Sequence, residues 1–427
     1  MQGHGGRGHN RLIMFFIFVW TLILMKPNTD ICASPGRIPE LDGLRGTAIF
    51  LVLVYHYLEQ QGSVAITGIT PYLQRAVLMG WSGVDLFFVL SGFLIGGILL
   101  DARVSTSYFR TFYLRRFFRI IPLYYLWIVG YLILVGVAGA ALRARSNSGI
   151  AMASGSSIYL HFLFLQNLTM VSFTGLAGAW FSHLWSLAVE EQFYLLSPLV
   201  VRVLSKRHLT MFLVAVIAGS PLLRIFLLRV VHTNPWLVSV LMVCRADSLA
   251  VGMLAAVLWR TDEFRTWISV RTGLLYSVFA LLLGGTLALW KWSPNSVTWG
   301  MESIGFTWLA LFYVVILLLA IARPGDPIAR VARMRWLREL GRVSYCMYII
   351  HLVVNVTLHS LLRRASPATT DWRSAGVTLL AALTTYGTAW FSWTCFEGPL
   401  LRVGHAFKYQ FVCDVVPVSE LDQVRLG

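Results

Sequence analysis

Ten mostly apolar stretches, each close to the length of a membrane-crossing helix, set the first limit on this chain. A helix needs about 20 residues to cross about 30 Å of hydrocarbon. Stretches of that kind lie near Leu44–Gly62, Gly80–Leu100, Phe117–Leu142, Leu184–Leu204, Leu209–Val231, Trp236–Trp259, Gly273–Lys291, Gly300–Ala322, Arg342–Leu362 and Ala375–Leu400. Inside a bilayer each backbone N–H and C=O must find its partner within the segment, so such stretches become helices. The expected fold is all-α: a polytopic membrane bundle of about ten transmembrane helices. Of the 427 residues, 57% are hydrophobic and 13% are charged, the latter about half the usual share for a soluble protein. That excludes both a water-soluble enzyme and a disordered chain, because no soluble core of this size hides so much apolar surface. Lys and Arg total 35 against 19 Asp and Glu, a net charge of +16. With no basic tail or basic-aromatic module, nucleic acid is not the expected partner. Short cytoplasmic loops facing anionic membrane lipid account for the excess.

The same charges orient the bundle. An eleventh, weaker candidate, Ile158–Val171, contains His161, Gln166 and Asn167. If it does not cross and Leu44–Gly62 starts in the cytoplasm, the inner loops collect more than twice as many Lys and Arg as the outer ones. The six-arginine loop from Arg323 to Arg342 is the largest group among them. The reading is ten crossings with both termini cytoplasmic, in a bacterial inner membrane, and Ile158–Val171 re-entrant or interfacial. The organisation expected is an N-terminal extension over 1–37, a membrane domain over 38–402 and a cytoplasmic tail over 403–427. Within the extension, Leu12–Met25 follows Arg7 and Arg11 like the apolar part of a signal peptide. An anchoring helix and a start codon placed too early, with Met25 as first residue, are the competing readings. Cys32, Cys244, Cys346, Cys395 and Cys413 show neither a disulfide framework nor zinc spacing, and no metal is expected. The oligomeric state is left open.

Ionisable groups within such stretches cost at least a few kcal/mol and mark candidate sites, although a polar clamp between helices is the common alternative. Arg45 and His56 are eleven residues apart, so on one helix they differ by about 20° in direction and by about 16 Å in height. That puts a histidine, the side chain suited to proton transfer near neutrality, above an arginine at the inner surface. Asp85 stands alone among aromatics and needs a partner, either His56 or an arginine. Arg116 and Arg119 share a face at the inner boundary and suit a phosphorylated cytosolic ligand, or simple anchoring to lipid headgroups. Pro122 should kink its helix or mark the true start. Ser186, Glu190 and Tyr194 recur every four residues as one polar stripe. Arg245 and Asp247 diverge by about 200°, so each should pair with another helix. Ser344, Tyr348 and His351 share a face; Glu302 and Glu397 complete the set. Gly83 and Gly92 permit close helix approach.

Taken in order, these residues resemble the membrane acyltransferase 3 family. Leu41-Asp42-Gly43-Leu44-Arg45-Gly46 with His56 is similar to its first helix, and Gly83-Val84-Asp85 through Ile95 to its second. Arg116 and Arg119 match its Arg-x-x-Arg motif. Trp185-Ser186-Leu187-Ala188-Val189-Glu190-Glu191-Gln192-Phe193-Tyr194, Ser344-Tyr345 with His351, and Glu397-Gly398-Pro399 continue the order. The resemblance covers Ile38 to Arg402 and implies ten spans and transfer of an acyl group, usually acetyl, from acyl-CoA to a hydroxyl. Acceptors in the family are mainly cell-surface glycans and some glycosylated small molecules. It implies an essential histidine at His56 and CoA phosphates on Arg116 and Arg119, with Arg45 nearby. The extracytoplasmic hydrolase-like domain of many relatives falls outside the resemblance. The expected mechanism has His56 as general base, oriented by Asp85 or Glu190, in a cavity also lined by Arg245, Asp247, Tyr194, Tyr348 and His351; an acyl-histidine intermediate is the variant. The competing class is a proton-coupled exporter or flippase using the same buried groups.

Overall fold

The computed structural model describes residues 38–59, 77–145, 155–169, 175–293, 295–369 and 371–411. The apolar segment Leu12–Met25 lies outside them. Among the described residues every regular element is helical. The chain runs through α1 (Pro39–Val54), α2 (Gly83–Asp101), α3 (Tyr108–Arg145), α4 (Gly155–Phe162), α5 (Gln166–Thr169), α6 (Gly175–Phe181), α7 (Trp185–Val203), α8 (Lys206–Arg229) and α9 (Pro235–Val240). It continues with α10 (Met242–Trp259), α11 (Asp262–Val270), α12 (Thr272–Trp292), α13 (Phe306–Ala322), α14 (Pro327–Ala332), α15 (Arg335–Arg363), α16 (Trp372–Ser392) and α17 (Gly398–Ala406).

Among the described residues, seven segments are long and apolar enough to cross a membrane: Met79–Asp101, Tyr108–Val137, Lys206–Arg229, Pro235–Trp259, Thr272–Trp292, Met301–Ala322 and Arg335–Arg363. The other three expected spans also fold as helices. They are α1, extended by a wide turn over Tyr55–Glu59, then α7 and α16. These are shorter or more polar than the seven. α7 alone carries Glu190, Glu191, Gln192 and Arg202.

Two tight helix pairs make the centre. α1 lies along α15, and α2 along α10. Glycines set both distances. A β-carbon on Gly92 would stand 2.0 Å from the Leu249 carbonyl oxygen, and one on Gly252 would stand 2.0 Å from that of Val89. The backbones are therefore closer than any side chain allows, which is how small residues join helices in apolar surroundings. Both pairs run in the same direction. Gly341 meets Asp42 and His351 meets His56 further on; Asp85 meets Arg245 and Asp101 meets Arg260.

Two local expectations meet a different outcome or a sharper one. Pro122 does not start its helix, because α3 runs through it from Tyr108; proline inside a helix is tolerated in apolar surroundings where neighbouring groups re-satisfy the freed backbone. The stretch around His161 forms two short helices, α4 and α5, interrupted at Phe164, whose φ is 54°. Its polar groups hold neighbours: Gln166 donates to the Leu184 carbonyl at 2.9 Å and Asn167 to that of Val240 at 3.2 Å.

Candidate functional site

Several of the polar residues singled out in sequence line two adjoining cavities, whereas Asp85, Asp247, His351, Glu302 and Glu397 line neither. The first has a cavity volume of about 90 Å³ and is lined by Arg45, Arg116, Arg119, Ser91, Glu190 and Tyr194, with Ser186 and Ser344. The second also has a cavity volume of about 90 Å³ and is lined by His56, His183, Arg245, Trp81, Trp185 and Trp236. Tyr348 and Val84 line both, so they form the wall between them.

In the first cavity the arginines converge from two helices, α1 and α3. The polar stripe of α7 faces them. Ser91 donates to Glu190 Oε1 at 2.8 Å, Tyr194 donates to Glu190 Oε2 at 3.3 Å and to Ser91 at 3.0 Å, and Arg116 lies over the Tyr194 ring at 5.6 Å. Arg116 Nε is buried with no hydrogen-bond partner among the described residues. Three cations against one carboxylate leave the cavity net positive. Its field reaches the last helix, α17: burial first, then Arg115, Arg119 and Arg116, hold the His405 imidazole below its ordinary range. An arrangement of this kind suits an anionic ligand, and guanidinium groups suit phosphate in particular.

In the second cavity the hydrogen bonds fix a tautomer. His351 Nδ1 faces the Tyr348 carbonyl at 2.7 Å, and His56 Nδ1 faces the Val52 carbonyl at 3.0 Å. A carbonyl only accepts, so both Nδ1 atoms carry hydrogen. His351 Nε2 then holds a lone pair, and it lies 3.2 Å from His56 Nδ1. His56 Nδ1–H is thereby shared between Val52 and His351, and its Nε2 is the bare, basic nitrogen. His183 packs on the same group, its ring 5.0 Å from that of His351. His56 thus meets His351, where the sequence reading expects Asp85 or Glu190. Asp85 is committed elsewhere: Oδ1 accepts from Arg245 Nη2 at 2.5 Å and from Ser248 at 3.3 Å. Glu190 belongs to the arginine cavity.

Arg245 and Asp247 point apart, each to another helix. Arg245 reaches Asp85 on α2, and Asp247 takes a 2.9 Å bond from Arg224 on α8. Arg224 is fully buried and also donates to the carbonyls of Cys244 and Glu302 and to Thr307. This second pair is a clamp rather than cavity lining. Sequence reasoning missed Arg224 and His183. Arg224 sits among apolar residues of α8, inside the expected span Leu209–Val231, and the demand of Asp247 for a partner is the available signal. His183 immediately precedes the α7 signature. Among the described residues no three His, Cys, Asp or Glu side chains group to hold a metal ion.

Apolar helices long enough to cross a membrane thus carry a histidine group beside an arginine-lined cavity. The chain belongs to the acyltransferase 3 family: the family model described as an acyltransferase domain matches residues 38–396. Among relatives, the peptidoglycan O-acetyltransferase OatA of Listeria monocytogenes is 25% identical over 379 residues, covering 87% of this chain and 57% of that protein. The O-acetyltransferase OatA of Staphylococcus aureus is 26% identical over 342 residues, covering 77% of this chain and 52% of that one. The chain thus spans somewhat more than half the length of these curated relatives. No solved structure matches it.

Proposed function

We propose that the protein transfers an acyl group, acetyl in the first instance, from acyl-CoA on the cytoplasmic side to a hydroxyl of a cell-surface glycan such as peptidoglycan. The observation carrying this reading is the meeting of the arginine cavity and the histidine cavity at Tyr348 and Val84. CoA phosphates bind Arg116, Arg119 and Arg45, and the pantetheine arm passes Tyr348 towards His56. His56 Nε2 takes the proton of an acceptor hydroxyl entering from the opposite side. His351 accepts from His56 Nδ1–H and steadies the imidazolium that forms. Asp85 and Glu190 act through arginine and through the cavity wall. Glycan-acetylating relatives support the acceptor class.

The membrane arrangement in this proposal has ten crossings and both termini cytoplasmic. Helix direction supports it. The first and ninth expected spans run the same way, as do the second and sixth. Successive crossings alternate, so ten crossings give that parity. A crossing at Ile158–Val171 would reverse both pairs. An exporter reading gains less support, because the buried carboxylates it would protonate, Asp85 and Asp247, are held in ion pairs.

The test uses the purified protein with acetyl-CoA and chitooligosaccharide, following free thiol. Release that requires the sugar hydroxyl is expected, and His56→Ala should abolish it while acetyl-CoA still binds. Undiminished release by His56→Ala at equal protein would remove the assignment, and sugar movement without CoA consumption would favour transport.

A further inference from the structure

Arg245 has more hydrogen-bonding capacity than the fold uses. Its side chain is buried, with a relative exposure of 1%. Nη2 is held by Asp85, and the guanidinium carbon lies over aromatic rings, 3.6 Å from the centre of Phe306 and 5.6 Å from that of Phe88. Nε and Nη1 have no hydrogen-bond partner among the described residues. Buried N–H groups left in that state are rare and call for an explanation. Arg245 and Phe306 also line the cavity that holds His56.

From this placement we infer that Arg245 is the oxyanion donor of the transfer step, a role that rests on the acyltransferase reading above. The acceptor oxygen bonds to the thioester carbonyl carbon while its proton passes to His56 Nε2, and the carbonyl π pair moves onto the carbonyl oxygen. That oxygen lies one bond from the carbon under attack, hence in the cavity shared by His56 and Arg245. The free N–H groups of Arg245 bond to it. Collapse re-forms the C=O, breaks the C–S bond, and the departing thiolate takes the proton back from His56. The products are the O-acyl ester and CoA. Asp85, which also accepts from Ser248, holds the guanidinium in advance, so it need not reorganise as charge appears. A resting pair close to neutral also explains why a lone carboxylate sits on α2 among aromatics.

The experiment uses the full chain in detergent or nanodiscs with acetyl-CoA and chitooligosaccharide. Two variants cover the risk that breaking a buried pair unfolds the protein. Arg245→Lys keeps the charge opposite Asp85 but loses the fork of donors. The double variant Arg245→Gln with Asp85→Asn keeps a neutral hydrogen-bonded pair. Each should lower kcat about 10²- to 10³-fold with little change in KM for acetyl-CoA. Wild-type kcat in either folded variant overturns the inference, as does a rise in KM alone, which would make Arg245 a binding group. If the wild-type protein itself releases no CoA, the acyltransferase reading fails first and the inference falls with it.

Discussion

Replacing His351 by leucine tests whether the histidine pair works as a unit. The substitution removes the lone pair that faces His56 Nδ1 at 3.2 Å and leaves only the Val52 carbonyl, at 3.0 Å, to receive that hydrogen. In the resting enzyme the lost bond is a neutral one. In the transfer step His56 becomes an imidazolium, so the bond becomes charge-assisted, worth about 1.5–3 kcal/mol. At 1.36 kcal/mol per tenfold in rate, kcat should fall about 10- to 150-fold. KM for acetyl-CoA should hold, because the arginine cavity is not touched. His351→Gln places an amide oxygen near the position of Nε2 and should recover most of the loss. The assay is thiol release under saturating acetyl-CoA, with protein level and monodispersity measured in parallel. A well-folded His351→Leu enzyme with kcat within about threefold of wild type would refute the reasoning. Equal losses in Leu and Gln would also refute it, since they would point to packing rather than to an acceptor.

Other sites give separate outcomes. Arg116→Ala or Arg119→Ala each removes a charged hydrogen-bond donor from the first cavity. Each should raise KM for acetyl-CoA about tenfold or more with a smaller change in kcat, and an unchanged KM in the double variant would remove these residues from donor binding. Gly92→Ala puts a methyl 2.0 Å from the Leu249 carbonyl. Backbone cannot yield there as a side-chain end can, so the loss in stability should reach at least the about 1–3 kcal/mol of overpacking, seen as a lower unfolding temperature in detergent. An unchanged unfolding temperature would mean that α2 and α10 are not in this register.

Much of the fold is legible in the sequence because apolar surroundings leave the backbone few choices. Long apolar runs read directly as helices, and the face-sharing of Ser186, Glu190 and Tyr194 follows from the turn of one helix; all three line the first cavity. The close approach at Gly83 and Gly92 is visible because small residues interrupt large ones. Gly43, Gly46 and Gly341 fix α1 against α15 and α14 just as tightly, with β-carbon positions under 2 Å from neighbouring carbonyl oxygens. In sequence they read as pieces of a motif rather than as packing, since the same glycine spacing serves either purpose. Pro122 does not mark the start of its helix, because α3 already runs from Tyr108.

No single helix reveals the partners of its ionised groups. Opposed directions on α10 require Arg245 and Asp247 to find separate partners, and they do. Which helix supplies each partner depends on the relative height of two helices, and nothing in either segment alone encodes that height. The Asp85–Arg245 pair fixes α2 against α10 at the His56 end, and Asp101–Arg260 fixes the same two helices at the other. The glycine contacts between them then hold one register along the whole length. The carboxylate that seems in sequence to be on offer to His56 therefore does two other things. Paired with Arg245, it sets the height of the central helices. By occupying one edge of the guanidinium, it also leaves Nε and Nη1 of Arg245 buried without a partner among the described residues, on a side chain that lines the cavity of His56.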